Sequence, residues 1–263
     1  MVTVDRERCV GCGRCEKDCI NGSIRVKEGK ALPPEACLMC GHCVAICPVG
    51  AVSIPEYDMA DVEPVPETCP VTPEQLKRLI KARRSVRDFE DRKIEPAVLK
   101  ELFEAGRYTA TAKNNQDCVF VLVQEQQAEL EKRVWAYVES LIPESREEAA
   151  DPNLRAYILF LRRYQRNPKD DYLFRNAPAV LFITSEWDLD AGLAAQNVEL
   201  MAVSQGLGVQ YNGYLQRLVD SSQEIKDWLG VGDRTVKACM LLGYPNVQYC
   251  RTAPRKPAQV ILK

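Results

Sequence analysis

The sequence predicts a chain in two unequal parts, a small cysteine-rich module followed by a larger layered domain of α/β or α+β type. Three observations carry that reading. Eight of the twelve cysteines lie between Cys9 and Cys47. Pro55, Pro64, Pro66, Pro70 and Pro73 then fall close together in an acidic, polar stretch. From residue 72 onward, amphipathic helical segments interleave with short apolar runs, the pattern of stacked helix and sheet layers.

The cysteine module is written twice. Cys9, Cys12, Cys15 and Cys19 follow C-x2-C-x2-C-x3-C, and Cys37, Cys40, Cys43 and Cys47 repeat it 28 residues later. The same offset carries Gly13 onto Gly41, Gly22 onto Gly50, Ile24 onto Val52 and Val26 onto Ile54, so the module is an internal duplication. Each half is too short to bury a core of its own and must be held by something other than apolar area. The expected division is a module over residues 1–56, a semi-rigid proline-rich connector over 57–71, and a second domain over 72–263.

Thr72 and Gln75 form a capping box with Pro73 at the first helical position, and Leu76, Leu79 and Ile80 are expected to be the buried stripe of that helix. A second helix is predicted over 96–106 on Val98, Leu99, Leu102 and Phe103, followed by a buried strand at Val119–Val123. Residues 125–175 read as charged helices whose Trp135, Tyr137, Tyr157, Phe160 and Tyr164 serve packing rather than a substrate cage. Next come a strand at Ala179–Thr184, a helix over 190–205, a strand near 207–211, a helix capped by Ser221 with Glu224, and a strand over 235–242.

Composition narrows the chemistry. The chain has 263 residues, 46% hydrophobic and 27% charged, with a net charge of −2. No global basic field exists for nucleic acid or an anionic membrane, and no apolar run approaches the roughly 20 residues of a membrane span. No apolar leader follows Met1, so a reducing compartment, the cytoplasm, is expected, where dense cysteine signals metal or redox chemistry rather than disulfides. The one histidine, His42, sits inside the cysteine cluster. A Ser-His-Asp triad, a Cys-His pair or a poly-His metal centre elsewhere is thereby excluded. No G-x-G-x-x-G occurs, which removes a Rossmann nicotinamide domain. Cys69, Cys118, Cys239 and Cys250 fit no cluster spacing and read as incidental thiols.

The duplicated spacing is that of [4Fe-4S] ligation, and zinc leaves the extra C-x2-C unexplained. Residues 1–54 resemble a bacterial two-cluster ferredoxin along their whole length. In such proteins the fourth cysteine of each run serves the other cluster. The resemblance therefore implies one cluster on Cys9, Cys12, Cys15 and Cys47, and another on Cys37, Cys40, Cys43 and Cys19. Pro48 follows Cys47 as the family pattern expects, whereas Ile20 follows Cys19. Residues 1–69 hold 7 Lys and Arg against 11 Asp and Glu, the remainder 28 against 26, so the module is the acidic part of the chain.

Arg83-Arg84-Ser85-Val86-Arg87 places three guanidiniums and a hydroxyl where they can converge on a phosphate. Taken alone, cations at a helix C-terminus answer the helix dipole equally well. Three further segments follow in order: Thr109–Gln116 with Thr111, Asn114 and Gln116; Gly206-Leu207-Gly208-Val209-Gln210-Tyr211-Asn212-Gly213; and Gly243-Tyr244-Pro245 with Arg251, Arg255 and Lys256 behind it. Together they resemble the nitroreductase family of FMN enzymes from about Pro73 onward.

That resemblance implies an α+β fold in an intertwined homodimer with FMN at the interface. It assigns Arg83, Arg84, Ser85 and Arg87 to the phosphate and ribityl chain, and Thr111, Asn114 and Gln116 to the segment reaching the flavin. It places Tyr211, Asn212 and Gly213 at the strand end near the flavin, and Arg255 with Lys256 at a C-terminal phosphate clamp. The run 258–262 would pair as a strand, with the other subunit as a candidate partner. No catalytic side chain is assigned. The implied function is an oxidoreductase in which an external donor, a ferredoxin, fills two [4Fe-4S] clusters and then FMN, which reduces an electron-poor small molecule such as a nitroaromatic or quinone. The alternatives are an NAD(P)H-dependent FMN reductase with accessory clusters and a non-catalytic redox sensor or electron carrier.

Overall fold

The computed structural model describes residues 1–143 and 151–263. The chain divides into two compact units: Met1–Pro70 with Ala112–Asn115, and Val71–Thr111 with Gln116–Lys263. Among the described residues no helix is long and apolar enough to cross a membrane.

The first unit is built of short elements. Strand β1 (Thr3–Val4) pairs antiparallel with β4 (Val52–Ser53), and β2 (Arg25–Lys27) with β3 (Lys30–Leu32). Helices α1 (Arg14–Asp18) and α2 (His42–Ala45) each begin inside a cysteine run. The duplication persists in hydrogen bonding. The Ser23 amide donates to Cys19 Sγ at 3.2 Å, and 28 residues later the Ala51 amide donates to Cys47 Sγ at 3.2 Å. The apolar residues between these elements form only small clusters in which the cysteines themselves take part.

The second unit opens with α3 (Pro73–Ala82). Both bonds of its capping box are present, Gln75 N–H to Thr72 Oγ1 at 3.2 Å and Thr72 N–H to Gln75 Oε1 at 2.9 Å. The predicted buried stripe is corrected here: Leu76 and Ile80 are 46% and 50% exposed. Capping is local and legible, whereas burial needs a covering surface, and among the described residues none covers Leu76 and Ile80. Then follow α4 (Pro96–Arg107), β5 (Val119–Val123), α5 (Gln127–Ser140), α6 (Pro152–Arg166), β6 (Ala179–Thr184), α7 (Asp188–Ser204), β7 (Gly208–Tyr211), α8 (Gly213–Ser221), α9 (Gln223–Trp228) and β8 (Val236–Gly243). Of the segment expected to be helical over 125–175, residues 144–150 lie outside the described residues.

The four strands form one antiparallel sheet in the order β5-β6-β8-β7. Strand side chains alternate between faces. Val180, Phe182, Cys239 and Leu241 enter a core with α5, α6, α8 and α9, while Ala179, Leu181, Ile183, Met240 and Leu242 enter another with α4 and α7. Every residue of β6 is buried, which is why that strand reads as an uninterrupted apolar run. The domain is thus a helix–sheet–helix sandwich of α+β type. Truncating Phe182, fully buried, to alanine would cost about 3–5 kcal/mol.

Two local readings change. The predicted cap Ser221 is the last residue of α8, and Ser222 caps α9, its hydroxyl accepting from Ile225 N–H at 3.4 Å. Adjacent serines and a short preceding helix make the two registers indistinguishable by residue type. Among the described residues no strand pairs with the run 258–262, which is exposed and without regular structure.

Candidate functional site

In the first unit Cys9, Cys12, Cys15 and Cys47 line one small cavity together with Gly11 and Ala31. The thiols of the other run also lie near one another, since Cys43 is pushed up to about 11 by burial and by the charges of Cys37 and Cys40. Backbone amides point at several sulfurs: Ala31 N–H at Cys9 (3.4 Å), Met39 N–H at Cys37 (3.2 Å), and the Ser23 and Ala51 pair described above. Such donors favour thiolate, and they lower the Cys9 and Cys19 thiols, led by the Ala31 and Ile24 amides respectively. All twelve cysteines are free. Thiol donors in two sets, with amide hydrogen bonds already aimed at sulfur, fit iron–sulfur clusters.

In the second unit the site is assembled by the segment after α3. Arg83 closes that helix in an extended conformation, and the chain then lies along β7, with Val86 N–H donating to Val209 C=O at 3.0 Å and Ser85 bridging Val209. Gly208 permits this approach: a Cβ there would stand 2.6 Å from Val86 Cγ2. The result is a cavity of about 360 Å³ lined by Ile80, Lys81, Arg83, Arg84, Thr252, Ala253 and Arg255.

Arg83, Arg84 and Arg255 are therefore brought together, as the sequence led one to expect, and Lys81 and Thr252 join them unforeseen. Ser85, Arg87 and Lys256 do not line this cavity. Ser85 bridges β7 through its main chain and is exposed, as are Arg87 and Lys256. Arg84 also lies over the Tyr249 ring, 5.6 Å from its centroid.

The residue that sequence reasoning missed is Glu199. It is 1% exposed on α7, and its Oε1 accepts from Arg83 Nη1 at 3.0 Å while Oε2 accepts from Gln196 Nε2 at 3.0 Å. A signal existed. Glu199 is the one charged residue between Asp190 and the end of an otherwise apolar, alanine-rich helix, and a buried carboxylate must find a cation.

Tyr211, at the end of β7, is 42% exposed as a whole residue. Its phenol is pushed above the ordinary range by burial of the hydroxyl end and then by the Glu199 charge, against the opposing charge of Arg83. Asn212 does structural work. Its Oδ1 caps α8 by accepting from Leu215 N–H at 3.0 Å, and its Nδ2 donates to Leu173 C=O at 2.6 Å. Gly213 opens α8.

Thr111 and Gln116 line a second cavity of about 280 Å³ with Phe103, Arg107, Cys118 and Phe120. The loop is wound tightly, Gln116 N–H donating to Thr111 Oγ1 at 2.9 Å with Gln116 itself at φ 49°. Positive φ at a non-glycine residue is costly and concentrates at functional loops. Asn114 does not line this cavity. It belongs to the first unit, where its amide donates to the carbonyls of Leu38 and Met39 at 3.2 Å each.

Comparison with known proteins agrees with both halves. Residues 1–48 match the 4Fe-4S dicluster domain, and residues 80–244 match the nitroreductase family. A nitroreductase with bound FMN from Bacteroides fragilis NCTC 9343 superposes with a TM-score of 0.57 at 23% identity, over 72% of this chain and 99% of that one. A second, also with bound FMN, from Desulfitobacterium hafniense DCB-2, gives 0.56 at 22% identity over 73% and 100%. A BluB-like flavoprotein from Clostridium difficile 630 gives 0.55 at 15% identity over 71% and 99%. No curated protein matches the chain. The structural likenesses establish the fold, and the family match spans more than half of the residues: the chain belongs to the nitroreductase family, with a 4Fe-4S dicluster domain ahead of its nitroreductase domain.

Proposed function

We propose that this oxidoreductase takes single electrons from an external ferredoxin-type donor onto two [4Fe-4S] clusters, passes them to FMN and reduces an electron-poor organic acceptor. The observation that carries the proposal is the pairing, in one chain, of four thiols around one cavity and a second run of neighbouring thiols with a cavity where Arg83, Arg84 and Arg255 meet. Bound there, FMN would convert one-electron arrivals into two-electron reduction of the acceptor.

The chain's own residues have defined tasks in this reading. Cys9, Cys12, Cys15 and Cys47 hold one cluster, and Cys37, Cys40, Cys43 and Cys19 the other. Arg83, Arg84 and Arg255 clamp the phosphate, which guanidiniums do by paired charge-assisted bonds. Ser85 and Arg87 sit on the same segment but outside the clamp. Tyr211 stays a neutral phenol beside Arg83 and Glu199, so in a domain without histidine the proton for acceptor reduction would come from water. Thr111 and Gln116, with Phe103 and Phe120, offer a partly apolar wall suited to a flat acceptor. Twelve cysteines with no disulfide among them suit a reducing compartment, the cytoplasm.

Anaerobically purified protein is expected to carry one acid-released FMN and about eight iron atoms per chain, and to reduce nitroaromatics or quinones with reduced ferredoxin. Flavin bleaching by NADH alone at the same rate would favour direct hydride supply instead. Protein with clusters but no flavin would point to an electron carrier.

The exposed stripe of α3 and the exposed Val260, Ile261 and Leu262 support a homodimer in which each tail pairs with the other copy. Sedimentation of a chain ending at residue 256 should then show monomer where the full chain shows dimer. A dimer surviving that truncation contradicts the tail's role.

A further inference from the structure

We infer that the two clusters differ in reduction potential, and that Lys30 makes the one held by Cys9, Cys12, Cys15 and Cys47 the more readily reduced. The inference rests on the ligand sets proposed above. A duplicated module would give two equivalent clusters if the surroundings were duplicated with the ligands. They are not.

On the first set, the β2–β3 hairpin lies against the cysteine loop. A Cβ at Gly11 would fall 2.0 Å from the Gly29 carbonyl oxygen, so the contact is close enough to require glycine. This seats Lys30, whose Nζ donates to the Cys9 carbonyl at 2.6 Å, while the next amide, Ala31, donates to Cys9 Sγ. A second cation serves the same set, Arg8 Nη2 donating at 2.8 Å to the carbonyl of Val49, two residues beyond Cys47.

The 28-residue shift carries Lys30 onto Val2, and Val2 is 2% exposed in an apolar cluster against which Cys37 and Cys43 pack, together with Cys47 of the first set. The apolar wall is thus shared, and the two sets differ in that the second has the uncharged Val2 where the first has an ammonium. A cation does approach the second run: Arg25 lies against Gly22 as Arg8 lies against Gly50. Arg25, however, is paired with Glu16 at 3.8 Å, which offsets its charge.

The sign follows from electrostatics. Reduction adds one electron to an already anionic cluster, so a nearby positive charge stabilises the reduced form and an apolar wall disfavours it. The first electron from a one-electron donor accordingly settles on the set beside Lys30, and the second electron on the other.

A potentiometric titration of the full chain with dithionite, followed by electron paramagnetic resonance of the clusters, is expected to show two separate one-electron steps. Lys30→Gln should move the higher step down and leave the lower in place. Glu16→Gln, which releases Arg25, should move the lower step up. A single joint step in the wild-type chain, or equal movement of both steps in Lys30→Gln, overturns the inference. Iron counts separate this from the underlying reading: eight irons with one joint step sinks the asymmetry alone, whereas fewer than two clusters per chain sinks the ligand assignment.

Discussion

Arg83→Ala is expected to weaken FMN binding by about 10- to 150-fold, since a charge-assisted contact to phosphate is worth about 1.5–3 kcal/mol. The substitution does more than empty one corner of the arginine cavity. It strands the Glu199 carboxylate, which is 1% exposed and whose other hydrogen-bond partner among the described residues is Gln196. Breaking a buried pair by removing one partner costs about 3–5 kcal/mol, and the figure here lies at or below the low end because the Arg83 side chain is 28% exposed and partly solvated. Stability and affinity should therefore fall together in Arg83→Ala. In the double variant Arg83→Ala/Glu199→Ala stability should recover while affinity stays lost, because no charge is left unpaired. Glu199→Gln keeps a hydrogen-bonding shape beside Arg83 without the charge and should bind flavin at least as tightly as the wild-type chain. Flavin fluorescence quenching and urea midpoints read both quantities. An Arg83→Ala protein that binds FMN as the wild type does would place the phosphate elsewhere.

Cys40→Ser is expected to remove one cluster, about four iron atoms per chain, with flavin content unchanged. Serine is a poor match for a soft iron–sulfur site, and Cys40 sits in the middle of the second run, among thiols close enough to raise Cys43. The arginine cavity is built entirely from residues of the other unit, so the loss should not spread to flavin binding. Acceptor reduction driven by reduced ferredoxin should fall at least about a hundredfold, equivalent to roughly 2.7 kcal/mol in the barrier. Unchanged ferredoxin-driven turnover in this variant would remove the clusters from the electron path.

What could be read in advance divides along physical lines. Cluster cysteines are legible because ligation fixes their spacing, and the Thr72–Gln75 box is legible because capping is decided within four residues. The apolar run Val119–Val123 was legible as a strand but not in its burial, since only Val123 is buried and Val119 is 39% exposed. The exposure of Leu76 and Ile80 was not legible, since burial depends on a covering surface that the described residues do not offer them. Sequence grouped these arginines but could not separate Arg83, Arg84 and Arg255, which line one cavity, from Arg87, which is exposed and does not line it. That separation is made by the way the segment lies along β7 over Gly208. The Asn212 side chain spends both its ends on Leu215 and Leu173, a structural task separate from the backbone role that the resemblance implies for this strand end. Glu199 was readable in principle, as an isolated charge in a buried helix, yet its partner lies 116 residues away and only the fold identifies it.

The central claim, that electrons travel from the clusters to the flavin within this chain, is tested most directly by rapid mixing of anaerobic protein with a limiting amount of reduced ferredoxin while cluster and flavin absorbance are followed together. The account predicts that the clusters are reduced first and that their reoxidation coincides with flavin bleaching in the wild-type chain, with flavin bleaching lost in Cys40→Ser. Flavin bleaching at the same rate in both proteins, with no preceding cluster reduction, would contradict it.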